Sequence, residues 1–174
     1  MKKCIVFIAL AITLLSSSVF AATKAKTIAS KRCYSPAEVQ AEQLLRLHSE
    51  LMVITVTCKV SSVGQDLVAA YTGFTKNNID VLHDAEQTMV NYYKKAYGGK
   101  GIPLLDRLRT KLANEYGQQI ANVSAPAFCA QRRDKVISMH GASASAVQGE
   151  VLKASASTYE PLCGSGMRTA QKSR

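Results

Sequence analysis

The chain lacks the patterns by which a sequence usually declares its chemistry. No serine stands in a G-x-S-x-G elbow, and no G-x-x-x-x-G-K-[ST] loop follows a strand, so the usual hydrolase and phosphate-loop signatures are missing. No C-x-x-C pair occurs, which argues against a four-cysteine zinc site. There is no internal repeat and no strand-like alternation long enough to compete with helix. Beyond the first residues no apolar run approaches the roughly 20 needed to span a bilayer, so the processed product is expected to be soluble and without a transmembrane anchor. These gaps point away from catalysis, and no cofactor is expected.

What is present begins with an export signal. Lys2 and Lys3 precede an apolar run from Cys4 to Leu15, and Val19 and Ala21 are small residues suited to cleavage after Ala21. The expected organisation is a signal peptide at 1–21, a basic flexible lead at 22–34, a helical domain at 35–163 and a disordered basic tail at 164–174. Cys33, Cys58, Cys129 and Cys163 remain after processing, an even count that in an exported protein implies two disulfides.

The formal charge of +10 first suggests nucleic acid. Its location says otherwise. Lys24, Lys26, Lys31 and Arg32 fall in the lead and Arg168, Lys172 and Arg174 in the tail, so the body is left nearly neutral. A duplex-reading surface needs cations clustered on the folded body, and no nucleic-acid partner is expected. Weak contact of the basic ends with an anionic surface stays open.

The body reads as helix throughout. Ser35 as N-cap, Pro36 at the first position and Glu38 three residues on form a capping box, and Leu44, Leu47, Leu51, Ile54 and Cys58 then mark an apolar stripe. A second periodic run from Leu67 to Tyr97, with Asp66 as a possible cap, predicts one long helix whose weak point is Lys76 to Asn78. Gly98 and Gly99 end it. Ile102 to Ala121 forms a third helix, and Ser124 is placed to cap a fourth from Ala125 to about His140, closed by Gly141. The Ala- and Ser-rich remainder predicts a weak fifth helix that packs loosely. The expected fold is all-α, an up-down bundle of about four main helices.

Geometry constrains the disulfides. A helix over 36–58 rises about 33 Å, far beyond the span of a disulfide, so Cys33 cannot reach Cys58. In an up-down bundle Cys58 and the start of the fourth helix share one end, which favours Cys58 with Cys129. Cys33 with Cys163 follows by elimination.

Candidate site residues are few. Asp80 and His83 stand at i and i+3, as in half of a di-iron site, but no other carboxylate has a histidine three residues on. A metal-dependent or hydrolytic enzyme would have to draw on Asp80, His83, Glu115 or His48. Tyr92, Tyr93 and Tyr97 beside Lys94, Lys95 and Lys100 could form an aromatic, basic docking patch, or be core tyrosines flanked by solvated lysines. Asn122 opens an N-x-S glycosylation acceptor.

The segments SELMVITVTCK (Ser49 to Lys59), YYKKAYG (Tyr92 to Gly98), LRTKLANEY (Leu108 to Tyr116) and Phe128 with Cys129 resemble a class of short exported proteins of Gram-negative bacteria. The resemblance implies a periplasmic location and a helical domain. It brings no activity and no catalytic residues. Together these readings favour a binding or accessory protein of the envelope, whose partner is an unidentified envelope protein or ligand.

Overall fold

The first helix, α1 (Pro36–Cys58), begins where its capping box places it: Ser35 Oγ accepts from the Glu38 amide at 3.4 Å, and Glu38 Oε2 accepts from the Ser35 amide at 2.6 Å. The computed structural model describes residues 32–60, 64–153 and 158–164. The signal peptide, most of the lead and nearly all of the tail expected from sequence lie outside them.

α1 is the axis of the molecule, touched by every other helix among the described residues. The sequence marks one apolar stripe on it. The structure buries far more, including all five consecutive residues Ala41, Glu42, Gln43, Leu44 and Leu45. Successive helical side chains are about 100° apart, so five in a row cover the whole circumference. A surrounded helix must bury its polar residues too, and it does.

The chain returns along α1 through α2 (Gly64–Asn77) and α3 (Ile79–Tyr97), not through the single helix that periodicity predicts. Asn78 divides them. It is buried, with φ −121° and ψ 19°, and its Nδ2 donates to Phe74 O and to Ala142 O, both at 2.9 Å. The backbone ladder continues through the bend, from the Asn78 amide to Phe74 O and from the Leu82 amide to Asn78 O. The arm is therefore kinked by a side chain that competes for backbone acceptors. Asp66 lies in the first turn of α2 rather than capping it, and Gly64 is the first residue of that helix.

Gly98 and Gly99, at φ 68° and 92°, turn the chain into α4 (Gly101–Val123). Ser124 does not cap the next helix with its side chain. Its φ is 74°, and its backbone links the two helices by donating to Ile120 O and accepting from the Phe128 amide. α5 (Ala125–Ser138) then descends to a turn containing Gly141 at φ 73°, and α6 (Ala144–Lys153) continues it. The weak fifth helix is thus better packed than expected, since Val147 and Val151 are both buried in the core. Burying a valine contributes roughly 1.5–3 kcal/mol, enough to hold a short helix whose propensity alone would not.

The result is the expected up-down bundle with two of its four arms broken. The second arm breaks at Asn78 and the fourth at Met139–Ser143, and the Asn78 bond to Ala142 ties one break to the other. Core side chains come from every arm: Leu45, Leu51 and Ile54 from α1, Phe74 from α2, Met89 from α3, Leu112 from α4, Phe128 and Val136 from α5.

Both expected disulfides are present. Cys58 joins Cys129 with Cα atoms 5.6 Å apart, and Cys33 joins Cys163 at 4.9 Å. The second pins a closing strap, residues 158–164, against the start of α1. Tyr34 donates its amide to Pro161 O and accepts from the Cys163 amide, both at 2.8 Å. Tyr34 was expected in the flexible lead, yet it is fully buried, edge-on to Tyr92 at 4.7 Å.

Candidate functional site

A hollow lies where α1, α3 and α6 diverge. Its floor is Ala41, Leu44, Ala85 and Val151, all buried, and its rim is Gln40, Asp84, Gln148 and Leu152, all exposed. The sequence makes this groove by placing small residues where helices would otherwise fill the space: Ala37 and Ala41 one turn apart on α1, with Ala85 opposite on α3. Its volume is about 320 Å³, within the range of sites that hold a small ligand or a partner's side chains. Asp84 is the one charged residue in the lining, and Leu152, 68 % exposed, stands as an aliphatic wall open to water.

A polar seam runs along another side of α1. Glu42, fully buried, accepts from the Tyr159 amide with both carboxylate oxygens at 3.2 Å, and from Arg46 at 3.4 Å. Arg46 also donates to Glu115, which accepts from the Tyr159 hydroxyl. Further along, Glu50 accepts from Arg132 at 2.8 Å and Lys135 at 2.6 Å, and Arg132 reaches Gln119 at 2.9 Å. A cavity of about 130 Å³ sits between these groups, bordered by Arg46, Glu50, Tyr116 and Lys135. Positive and negative groups are matched here, so the seam reads as a fastening for buried charge rather than as a site that selects an ion. Desolvation, helped by the hydrogen bond to Glu115, pushes the Tyr159 phenol up to about 12, and burial does the same for Tyr116.

His48 and Glu115, two of the four residues that a hydrolytic or metal-dependent reading needs, have other partners. His48 stacks on Tyr71, ring centroids 5.8 Å apart, with Nε2 2.8 Å from the Tyr71 hydroxyl. Glu115 is held by Arg46 and Tyr159. Asp80 and His83 are exposed on α3. Among the described residues no three His, Cys, Asp or Glu side chains are grouped so as to hold a metal ion.

The tyrosine and lysine cluster separates into two populations. Tyr92 and Tyr93 are core residues, packed edge-on at 5.2 Å, and cannot form the aromatic part of an exposed patch. Tyr97 is half-buried under the Arg32 guanidinium and donates to Glu160. Lys94, Lys95 and Lys100 are exposed.

Sequence reading did not find the groove or the seam. Alanine pairs one turn apart look like ordinary helix formers, and the acidic and basic residues of α1 look like a solvated face. The available signal was Glu42 and Arg46 at i and i+4 on a helix already assigned to the core.

No family model, curated protein or solved structure matches the chain. Two disulfides and an all-helical bundle define it as a disulfide-tied helical protein suited to an oxidising compartment. Among the described residues no helix is long and apolar enough to cross a membrane.

Proposed function

We propose that this is an exported binding or accessory protein of the periplasm, which acts through the groove between α1, α3 and α6 rather than through catalysis. The observation that carries the reading is the groove itself: a hollow of about 320 Å³ with an apolar floor and a single carboxylate, Asp84, at its rim. That combination suits an aliphatic group carrying a cation. Burial of the aliphatic part supplies affinity, and the carboxylate orients the charged end.

Export is supported by the Lys2 to Ala21 signal pattern, by the two disulfides and by the resemblance to exported proteins of Gram-negative bacteria. The test is native mass spectrometry of the oxidised protein mixed with n-octylammonium or octanoate, alkyl probes of opposite charge. A one-to-one complex with n-octylammonium that weakens in Leu44→Gln supports the reading. Equal retention of both probes, unaffected by that substitution, refutes it.

A further inference from the structure

The groove continues past Thr88. Ala37 of α1 and Thr88 of α3 line both it and a second hollow of about 270 Å³, which runs on toward the start of α1 and reaches Lys95. The two hollows form one trough because α1 and α3 pass each other in opposite directions. Ser35 and Glu38 share the second hollow with Asn91 and Lys95, whereas Leu44, further along α1, shares the first with Val81.

One face of α3 walls the whole trough. Asp84, Thr88, Asn91 and Lys95 recur at three- and four-residue steps, within about 60° of one another around the helix axis. The rise from Asp84 to Lys95 is about 16 Å. The two ends carry opposite charge, and among the described residues neither Asp84 nor Lys95 is in an ion pair. Glu38, the carboxylate at the Lys95 end, is engaged in the α1 cap, where it accepts from the Ser35 amide at 2.6 Å. Hydrogen-bonding groups lie between the charges. Thr88 is half-buried and Asn91 is exposed. Asn91 Oδ1 accepts from Gln87 Nε2 at 3.2 Å, which leaves its own side-chain N–H groups to donate.

We infer that the trough binds a free peptide of about five residues in extended conformation, with its α-ammonium at Asp84 and its α-carboxylate at Lys95. The inference rests on the groove reading proposed above and specifies its ligand. An aliphatic N-terminal residue supplies both the cation for Asp84 and the apolar group for the floor of Ala41, Leu44 and Val151. An extended chain advances about 3.3 Å per residue, so about five residues match the separation of the two charges. A plain alkyl chain would displace water from Thr88 and Asn91 without replacing its hydrogen bonds, whereas a peptide backbone offers them carbonyls and amides.

The experiment is a chemical-shift titration of the oxidised protein with a pentapeptide, leucine followed by four alanines, whose termini are free. Amidating its C-terminus should raise Kd about two- to fivefold, the range of an exposed ion pair, and Lys95→Gln should raise it by the same factor. In Lys95→Gln, amidation should then change nothing further, because both alterations remove one interaction. Lys94→Gln removes the same charge from a neighbour that does not line the hollow, and should move Kd less than about 1.5-fold. Equal losses from Lys94→Gln and Lys95→Gln would reduce the effect to net charge and overturn the inference. Amidation that still weakens binding to Lys95→Gln would also overturn it. So would ω-aminododecanoate binding as tightly as the peptide, since it carries both charges but no amide. n-Octylammonium, which has no anionic end to meet Lys95, distinguishes the two failures. Its binding stands if only the peptide is wrong, and is lost together with the peptide's if the groove reading itself fails.

Discussion

Removing the Cys58–Cys129 bond tests the covalent frame in a way that the structure makes quantitative. The two disulfides are nested, with separations of 71 and 130 residues. Alone, a cross-link of 71 residues lowers the entropy of the unfolded chain by an amount worth about 4.4 kcal/mol, and one of 130 residues by about 5 kcal/mol. With the inner bond intact, however, the outer one closes only the residues outside it, the difference of 59 between those separations, and contributes about 4.3 kcal/mol. Cys58→Ala with Cys129→Ala and Cys33→Ala with Cys163→Ala should therefore each cost about 4 kcal/mol, despite their unequal spans. Urea denaturation of the oxidised proteins, followed by far-ultraviolet circular dichroism, gives both values. The two variants should still differ in which region loosens. Loss of the outer bond frees the strap that covers Glu42, so hydrogen exchange should rise at the Tyr34, Tyr159 and Cys163 amides. A cost below about 1 kcal/mol for either pair would refute the unfolded-state argument.

Four further outcomes rest on polar groups that the fold partly or wholly buries. Glu50 is buried whereas its partners Arg132 and Lys135 are each about one-third exposed, so Glu50→Gln should cost on the order of 1 kcal/mol. Arg132→Met with Lys135→Met strands the carboxylate and should cost about 3–5 kcal/mol in the same urea assay. Asn78→Ala removes the bonds to Phe74 O and Ala142 O and should cost about 1–3 kcal/mol, with faster hydrogen exchange in the turn at 139–143. Burial holds the His48 pKa below its ordinary 6.5, so the unfolded chain takes up the proton first as pH falls. Stability should accordingly be full above about pH 6.5 and decline on acidification below it, and His48→Gln should flatten that part of a thermal-denaturation pH series.

Much of the fold could be read from residues 35 onward because helix grammar is local. The capping box at Ser35, the glycines at 98 and 99 and the three- and four-residue spacing of apolar groups each depend on near neighbours. The disulfide pairing was legible for a different reason: helix rise is fixed, so length along α1 decides which cysteines can meet. Failures came where the environment decides. Asn78 is as compatible with a helix interior as with a kink until Ala142, 64 residues away, offers its carbonyl. Val147 and Val151 look too few to hold a helix, but α1 supplies the surface that they cover. Tyr34 belongs to the core only because the Cys33–Cys163 bond and Tyr92 close around it. The groove was invisible for the same reason. It is formed by what Ala37, Ala41 and Ala85 leave unfilled, and an unfilled volume has no pattern in one helix alone.

The functional account rests on that groove, and a nuclear magnetic resonance titration of its methyl groups tests it most directly. With n-octylammonium, the account predicts saturable shifts confined to Leu44, Val81, Val151 and Leu152, much weaker shifts with octanoate, and loss of this preference in Asp84→Asn. Shifts spread over Val56, Val60 and Val68, exposed aliphatic residues outside the groove, or equal responses to the two probes, would contradict it.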